Sequence, residues 1–277
     1  MMTESSGVFG VDTCGHCAML TVNAMSPDSS PFISVIVVCK NPGLRLREAL
    51  ASVWAQIAQP PELIVVDGGS EDGSRVWLAS QRARITTLIM EPDTGVYDAM
   101  NKGLAAAHGE WVLFLGADDR LFHDAVFSRV QAVLKQAGDG VAVAEIAYED
   151  GRVYQLDQRP RPIRRNFVHH QGAFYRRTLF ADHGIFDPTL AVMGDYDLNA
   201  RLRQKGVKFT PIPLRLTTCG VGGLSDAGGW QGYGEEVTVR HRHFPAWRCW
   251  PWDLGSVIRF IRKQFVRRPK PRPAQSG

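Results

Sequence analysis

Two adjacent carboxylates, Asp118 and Asp119, are the residues of this chain best suited to chemistry. They end the segment LFLGADD, residues 113–119, whose apolar part is typical of a buried strand. Because burying two unpaired carboxylates is unfavourable, we expect both to be exposed at the carboxyl end of that strand. Carboxylate oxygens are the ligands that Mg²⁺ and similar cations prefer. The pair therefore predicts a cation site that suits a diphosphate ligand. The alternative interpretation of an isolated Asp-Asp is an acidic turn after the strand, without a bound cation.

The elements that must position this pair alternate between strand and helix. Apolar, β-branched runs at 32–39, 62–67 and 86–90 predict strands, and the second run ends at Asp67. Apolar residues recur with helical spacing in the intervening segments, which are residues 44–56, 70–81 and 96–107. This alternation predicts an α/β fold with a mainly parallel, Rossmann-like sheet and helices on both faces. Ligands of such sheets bind beyond the carboxyl ends of the strands, where we expect all three aspartates to lie.

Two common nucleotide-binding loops are absent from the sequence. The first predicted strand is followed by Lys40, Asn41, Pro42 and Gly43, which do not form the G-x-G-x-x-G turn of dinucleotide-binding domains. The P-loop pattern G-x-x-x-x-G-K-[ST] does not occur either. A bound nucleotide is therefore expected to be held through a metal ion and side chains.

The order and spacing of several motifs identify a family. With them the chain resembles the family 2 glycosyltransferases, which have the GT-A fold, and within them a bacterial branch of colanic acid and mycobacterial phenolic glycolipid transferases. The resemblance extends over residues 32–245 and is carried by SVIVVCKN, VVDGGSEDGS, EPDTGVYDAMNKGL, LFLGADD, HQGAFYRRTLF, GDYDLNARL and GGLS.

The resemblance implies roles for the carboxylates. Asp119 matches the aspartate that binds Mg²⁺ or Mn²⁺ at the donor diphosphate, and Asp118 matches its neighbour, which contributes to the metal site and contacts the ribose side. The metal would act as a Lewis acid on the departing diphosphate. Asp67 matches a carboxylate near the nucleotide base. Relatives often carry a second aspartate directly after it, where this chain has Gly68.

Further polar residues match segments that line the donor or the acceptor. His169 and His170 are adjacent, and on a strand they would point to opposite faces, so only one is expected to face the site. His170 and Gln171 are predicted to contact donor or acceptor, and zinc-like ligand spacing is absent. The residues predicted to line the donor nucleotide are Asp93, Asp98, Asn101 and Lys102.

Asp195 matches the catalytic base of inverting relatives. It begins a predicted helix, so its side chain can project from the amino end into a partly wet cleft. A base must reach the acceptor hydroxyl and be ionised near neutral pH, and an aspartate there satisfies both conditions. The alternative is that Asp195 only caps the helix, a role that Asp197 can also fill.

The composition predicts a single enzyme domain with two appendages. We predict a mobile extension at 1–31, a GT-A domain at 32–245 and a basic amphipathic helix and tail at 246–277. No apolar stretch approaches the ~20 residues needed to span a bilayer, and the amino terminus does not resemble a signal peptide. The five cysteines, which include an isolated C-x-x-C at Cys14 and Cys17, lack regular spacing. They indicate a reducing cytoplasm.

The net charge of +4 conceals an asymmetry. Seven basic and no acidic residues follow residue 253, so the preceding part carries a small negative charge, which argues against nucleic-acid binding. The basic residues alternate with an apolar stripe, Leu254, Val257, Ile258, Ile261 and Phe265, and follow Trp247, Trp250 and Trp252. This pattern favours contact with an anionic membrane at the inner face of the cytoplasmic membrane. The alternative is that the stripe packs on the domain.

The residues and the resemblance together predict an inverting, metal-dependent glycosyltransferase. It would move a hexose or deoxyhexose from a nucleotide sugar to a glycan or lipid-linked acceptor in cell-surface polysaccharide or glycolipid synthesis. GDP-fucose is the donor suggested by the narrower resemblance, with UDP- and dTDP-sugars as alternatives. Two other classes stay open, a non-catalytic sugar-nucleotide or glycan-binding module and a sugar nucleotidyltransferase.

Overall fold

The structure is a computed structural model that describes residues 31–57, 60–156, 164–221 and 229–266. The predicted extension at 1–31, apart from Pro31, and the basic residues of 267–277 lie outside the described residues. The strands are β1 Ile33–Cys39, β2 Glu62–Asp67, β3 Thr87–Met90, β4 Trp111–Gly116, β5 Arg120–Leu121, β6 Gly140–Tyr148, β7 Val153–Tyr154, β8 Ala173–Arg176 and β9 Lys208–Cys219. The helices are α1 Arg45–Trp54, α2 Ser74–Ser80, α3 Val96–Ala105, α4 Val126–Leu134, α5 Thr178–His183, α6 Gly194–Gln204, α7 Trp230–His243 and α8 Ala246–Val266.

One half of the sheet is parallel, as the alternating pattern predicts. Its strands lie in the order β3-β2-β1-β4, and each neighbouring pair is parallel. The register places Cys39 opposite Asp67 and Val38 opposite Gly116, so β1, β2 and β4 end at the same edge. Asp67 and the Asp118–Asp119 pair therefore lie at one edge, which confirms the predicted α/β arrangement.

The other half of the sheet is mixed. β8 pairs antiparallel with both β4 and β6, β9 runs parallel to β6, and β5 and β7 add short antiparallel edges. The register between β6 and β9 shifts twice between Val143 and Ile146. Such irregularities increase the local twist of a sheet, and they lie next to the strands that frame the site.

Hydrophobic cores cover both faces of the parallel half. Alternate residues of one strand enter different cores, as the period of two requires: Val35 and Val37 face α1 and α4, whereas Ile36 and Val38 face α3 and α6. Strands that are buried on both faces have nearly continuous apolar sequences, which explains why β1 and β2 could be predicted from the sequence.

A buried carboxylate joins three segments at the opposite edge of the sheet. Glu62 accepts hydrogen bonds from the hydroxyl of Ser34 at 2.5 Å and from the backbone N–H of His108 at 2.8 Å, and its other oxygen lies 2.8 Å from His108 Nδ1. Burial alone would raise the pKa of Glu62, but these hydrogen bonds outweigh it and hold the pKa below 4.5.

Helices α7 and α8 form a hairpin joined by buried charges. Arg240 of α7 is fully buried and donates to Asp253 at 2.9 Å, to Ser256 at 2.7 Å and to the carbonyl oxygen of Arg164 at 3.0 Å. Glu236 of α7 pairs with Arg259 of α8 at 2.5 Å. The inner face of α8 therefore combines these charged and polar contacts with apolar ones, since Phe260 packs on Trp230 and Tyr233 of α7.

The apolar stripe of α8 lies on its outer face. The solvent-exposed fractions are 67% for Trp247, 65% for Trp250, 55% for Leu254, 48% for Ile258, 46% for Ile261 and 62% for Phe265. The alternative in which this stripe packs on the domain is wrong, because Cys249, Asp253 and Ser256 occupy the inner face instead. Among the described helices, none combines the length and apolar character needed to cross a bilayer.

Candidate active site

Asp118 and Asp119 follow β4 in a tight turn. The carboxylate of Asp119 folds back over the strand end, where it accepts hydrogen bonds from the N–H of Gly116 at 3.0 Å and the N–H of Gly220 at 3.2 Å. The expectation that both carboxylates are exposed is wrong for Asp119, which is only 3% exposed, because these N–H groups replace water. Asp118 remains accessible, with 38% of its side chain exposed, and lies 4.0 Å from Arg45.

The two carboxylates fit a divalent cation. Burial, reinforced by the charge of Asp118, raises the pKa of Asp119 to about 6, and a bound cation would relieve that repulsion. Glycines leave room for both groups: a Cβ on Gly116 would lie 2.6 Å from Asp119 Oδ2, and a Cβ on Gly220 would lie 2.8 Å from Asp118 Oδ2. Within the described residues, no cluster of three His, Cys, Asp or Glu side chains is formed, so further ligands would come from the bound diphosphate or water.

Asp195 lies in the first turn of α6 and is more enclosed than predicted. It is 5% exposed, because polar groups surround the carboxylate. Oδ2 accepts a hydrogen bond from Asn166 Nδ2 at 2.9 Å and lies 3.3 Å from His170 Nδ1. Oδ1 accepts from the N–H of Tyr196 at 2.8 Å and from the hydroxyl of Tyr97 at 3.4 Å. The expected partly wet cleft is therefore wrong at the carboxylate itself.

The surroundings of Asp195 keep it ionised. Burial raises its pKa, but the hydrogen bond and charge of His170, together with the hydrogen bond from Asn166, outweigh burial and hold the pKa below its ordinary value. The charge of His170 also lowers the pKa of Asp119, and the antiparallel pairing of β8 with β4 brings the turn that carries His170 to the edge where Asp119 lies. This arrangement places an ionised base beside the predicted cation site.

The segment around His170 is a 3₁₀ turn, not the strand assumed in the two-face prediction. The turn covers His170–Gly172 and directly precedes β8. His170 faces Asp195, whereas the ring of His169 packs against Tyr154 with ring centroids 4.2 Å apart. The buried side-chain oxygen of Gln171 has no hydrogen-bond partner among the described residues, so a ligand donor would satisfy it.

The carboxylate of Asp67 is hydrogen-bonded within the turn that follows β2. It is fully buried, and Oδ1 accepts from the N–H groups of Gly69 at 3.1 Å and Ser70 at 2.9 Å. Oδ2 lies 3.5 Å from the sulfur of Cys39, and Arg75 is 3.8 Å from Oδ1. These contacts hold the β2–α2 turn, so a direct contact between Asp67 and a nucleotide stays a prediction.

The polar residues near α3 divide into two groups. Asn101 donates to the carbonyl oxygen of Phe186 at 2.9 Å and accepts from its N–H at 3.1 Å, so both ends of its amide hold the segment before α6. Lys102 donates to the carbonyl oxygen of Pro92 at 2.7 Å, and Asp98 accepts from the N–H of Thr94 at 2.9 Å. Asp93, in the loop after β3, packs against Gly68, the residue that follows β2.

Two residues important to this site were missed by the sequence analysis. Asn166 donates to Asp195, and Glu235 of α7 accepts from the consecutive N–H groups of Ala191, Val192 and Met193 at 2.8–3.0 Å. Glu235 thereby fixes the turn that leads into Asp195. Neither residue carries a local pattern, because both act across long sequence separations.

A cavity of about 320 Å³ is lined by Asn166, the residue that donates to Asp195. Asn166 and His169 form one wall, Met193 lies at the α6 side, and Tyr233 and Arg259 come from α7 and α8. Pockets of this size accommodate one small ligand. Asn166 both lines the cavity and donates to Asp195, so it connects the two, although the carboxylate itself is not part of the lining.

Comparison with known proteins identifies the family. The profile described as Glycosyl transferase family 2 matches residues 34–194, ending one residue before Asp195. A PGL/p-HBAD biosynthesis glycosyltransferase of Mycobacterium tuberculosis is 33% identical over 184 residues, which cover 62% of this chain and 70% of that protein. An uncharacterized glycosyltransferase of the same species is 30% identical over 229 residues, which cover 78% of this chain and 87% of that protein.

Solved structures share the fold at low sequence identity. Staphylococcus aureus TarS 1-349 in complex with UDP-GlcNAc has a TM-score of 0.64 at 17% identity, covering 85% of this chain and 73% of that one. The chain spans 44% of the longer TarS structure. The mannosyltransferase PcManGT from Pyrobaculum calidifontis in complex with GDP-Man and Mn²⁺ has a TM-score of 0.55 at 19% identity. The match covers 90% of this chain and 79% of that one. With the fold, the profile match and these relatives, the chain belongs to glycosyl transferase family 2, resembles its mycobacterial branch, and is a GT-A glycosyltransferase.

Proposed function

We propose that this enzyme transfers a sugar, with inversion at the anomeric carbon, from a nucleotide sugar to a hydroxyl group of a lipid-linked or polysaccharide acceptor. The observation that carries the proposal is that His170 contacts Asp195 at 3.3 Å in a turn directly before β8, the strand whose pairing with β4 brings that turn to the edge where Asp118 and Asp119 lie. A candidate cation site and an ionised candidate base at one edge of the sheet suit a single displacement in which both act together.

Asp118 and Asp119 would hold a Mg²⁺ or Mn²⁺ ion at the donor diphosphate. Such an ion supplies Lewis-acid stabilisation of the negative charge on the leaving group. The residues fit this role because two adjacent carboxylates, one buried and one accessible, lie over a glycine-lined space.

Asp195 would act as the general base. Its carboxylate accepts the proton of the acceptor hydroxyl while that oxygen attacks the anomeric carbon, and the bond to the nucleoside diphosphate breaks in the same step. Asn166, Tyr97 and the N–H of Tyr196 orient the carboxylate, and His170 keeps it ionised. A positioned, ionised base loses little free energy to reorganisation during the reaction.

The acceptor would occupy the cavity beside Asn166. Its wall contains the aromatic rings of Tyr154 and Tyr233 and the charged groups of Arg259 and Glu236. Amphipathic aromatic and polar groups of this kind suit a sugar ring or a phenol with hydroxyl groups. The relative named for PGL/p-HBAD biosynthesis supports an acceptor in glycolipid synthesis for this chain too.

The donor would be a UDP-, dTDP- or GDP-sugar. The neighbours of similar fold were solved with UDP-GlcNAc and with GDP-Man and Mn²⁺, which supports a nucleotide sugar and a divalent cation. GDP-fucose remains our suggestion from the narrower resemblance.

The outer face of α8 would dock on the inner face of the cytoplasmic membrane, where a lipid-linked acceptor is found. Its exposed stripe repeats at positions 247, 250, 254, 258, 261 and 265, which is the spacing of one helical face. Arg248 and Arg262 flank that stripe on the exposed surface. Apolar side chains bordered by cations match an anionic bilayer, whose surface attracts each cation by about 1 kcal/mol.

A donor-turnover assay tests the proposal. The full chain is incubated with UDP-, dTDP- and GDP-sugars, with Mn²⁺ or with chelator, and with octyl glycosides as acceptors, and the released nucleotide is identified. We expect metal-dependent release of a nucleoside diphosphate from one donor class, and none from Asp195→Asn. Release of pyrophosphate, or no turnover of any donor, would overturn the proposal.

A further inference from the structure

We propose that the cavity beside Asn166 takes an acceptor whose sugar is joined to its lipid through a phosphate, and that Arg165 and Arg259 bind that phosphate. The inference rests on the proposed function and names the chemical class of its acceptor. It follows from the charged side chains that line the cavity, from the uncharged polar groups of its other wall, and from its position next to the outer face of α8.

Arg165 is available to a ligand. Its side chain is exposed and lines the cavity. Among the residues that the structure describes, Arg165 has neither an ion pair nor a hydrogen-bond partner. A guanidinium group carries five N–H donors in a planar fork, and this fork matches two oxygens of one phosphate. Arg165 therefore adds an unpaired cation to the wall of the cavity.

Arg259 adds a second guanidinium group from α8. Its Nη2 donates to Glu236 at 2.5 Å and to Ser256 at 3.0 Å, whereas its Nε and Nη1 have no hydrogen-bond partner within the described part of the chain. Glu236 is the carboxylate of the lining, and it also pairs with the buried Arg240 at 3.2 Å. Because Glu236 is shared between two guanidinium groups, Arg259 keeps donors for a ligand, and the lining favours an anion.

The wall formed by Asn166 and His169 is polar but uncharged. Asn166 lines the cavity and donates to Asp195 at 2.9 Å. The buried Nε2 of His169 has no hydrogen-bond partner among the described residues. Burial holds the pKa of His169 below its ordinary value of 6.5, so the imidazole is neutral at pH 7. Neutral amide and imidazole groups suit the hydroxyls of a sugar, so we place the sugar at this wall and the phosphate at the two arginines.

The cavity adjoins the face of α8 that we propose to dock on the membrane. Arg259 directly follows Ile258 of the exposed stripe, and successive residues of a helix are only about 1.5 Å apart along its axis. Tyr233 lines the cavity and packs on Phe260, with ring centroids 5.7 Å apart, and the half-exposed Trp230 packs on the same ring at 5.3 Å. An apolar chain can therefore leave the cavity over these rings toward the bilayer, while its phosphate stays with the arginines.

Titration calorimetry with short amphiphiles tests the recognition of phosphate. Octyl phosphate, octyl glucoside and inorganic phosphate are titrated, below the concentrations at which micelles form, into the full chain. Chelator is present throughout, so that phosphate does not bind through a cation at Asp118 and Asp119. We expect octyl phosphate to bind at least about tenfold more tightly than either of the other two, because only octyl phosphate combines the charge with an apolar chain.

The variants assign that affinity to the arginines. Arg165→Ala should weaken the binding of octyl phosphate by about tenfold to 100-fold, and Arg259→Lys by less, because lysine keeps the charge but not the fork. Arg164→Ala is the matched control: Arg164 is the exposed neighbour of Arg165 and does not line the cavity. Octyl phosphate that binds no more tightly than octyl glucoside, or no more tightly than inorganic phosphate, would overturn the inference.

A kinetic test uses one sugar in two acceptors. An octyl glycoside that is glycosylated in the donor-turnover assay is compared with the same sugar joined to the octyl chain by a phosphodiester. We expect a lower KM for the phosphodiester, and Arg165→Ala should raise that KM by about tenfold or more and remove the preference. Equal KM values in the wild type would show that the inference is wrong while the proposed function stands. If no acceptor is glycosylated, the proposed function fails, and the titration still decides whether the cavity binds phosphate.

Discussion

Nδ1 of His170 lies 3.3 Å from Oδ2 of Asp195, and the charge of the same imidazole lowers the pKa of Asp119. One side chain thus connects the candidate base with the candidate cation site. For both carboxylates burial is the largest effect on the pKa and raises it, and the charge of His170 opposes that effect.

Asp195→Asn tests the base directly. The variant keeps the shape of the side chain but cannot accept a proton, so we expect transfer to fall by on the order of 10³-fold while nucleotide binding persists. Asp197→Asn is the matched control, since Asp197 is equally buried two residues later but pairs with His243 at 3.0 Å. The control should lower thermal stability and leave turnover near the wild-type value. Near-normal transfer by Asp195→Asn would make Asp195 a structural residue.

His170→Gln should change the pH dependence of the reaction. The base works when deprotonated, so activity is present above the folded-state pKa of Asp195 and is lost as pH falls through it. His170 helps to hold that pKa below its ordinary value, and without it the effect of burial prevails and the pKa rises. The acid limb of the kcat/KM profile should therefore move to higher pH in the variant. An unchanged acid limb would show that His170 does not tune the base.

Asp119→Ala should remove the cation site. We expect turnover to fall by on the order of 10²-fold or more and Mn²⁺ to lose its effect on nucleotide binding, since a major electrostatic stabiliser is missing. Asp139→Ala is a suitable control because its side chain is 84% exposed and pairs with Arg176 away from the site. Wild-type transfer by Asp119→Ala in the presence of chelator would contradict metal assistance.

Leu254→Ser/Ile258→Ser/Ile261→Ser should release the enzyme from anionic vesicles. These side chains are 46–55% exposed, so the substitutions remove the proposed membrane contacts without touching the inner face of α8, which packs on α7. Each apolar side chain that enters the bilayer contributes about 1.5–3 kcal/mol, so the loss of three is large. Co-sedimentation with vesicles of anionic and of neutral lipid, with and without salt, measures the effect. Unchanged vesicle binding with a shift from dimer to monomer in light scattering would assign the stripe to a second copy of the chain instead.

Glu62→Gln should make the fold less sensitive to acid. The folded-state pKa of Glu62 is below its ordinary value of 4.5, so its ionised form adds stability that is complete above that value and is lost as pH falls through the folded-state pKa. The variant should be less stable than the wild type at pH 7 by about 1–3 kcal/mol, with a smaller difference near pH 3. Urea unfolding at both pH values measures this. The same difference in unfolding free energy between wild type and variant at both pH values would show that the charge of Glu62 is not coupled to folding.

The sequence by itself determined the parallel half of the sheet and the carboxylates at its edge. β1 and β2 are buried on both faces, so apolar runs with abrupt polar ends were sufficient to locate them, and the helical spacing located α1 and α3. The positions of Asp118, Asp119 and Asp195 followed from local motifs. The antiparallel pairing of β8 and the short β5 and β7 had no comparable local signal, because short strands depend on the partners beside them.

Only the tertiary structure decided the environment of the site residues. Asp119 is buried because Gly220, 101 residues later in the chain, supplies an N–H, and Asp195 is oriented by Asn166 and Tyr97. The spacing of the apolar residues predicted the stripe of α8, but it could not predict whether the stripe faces the domain or the solvent. That orientation depends on the ion pairs of Arg240 with Asp253 and of Glu236 with Arg259. Periodicity defines which residues share a face of a helix, and only the contacts of the folded chain determine whether that face meets the core or the solvent.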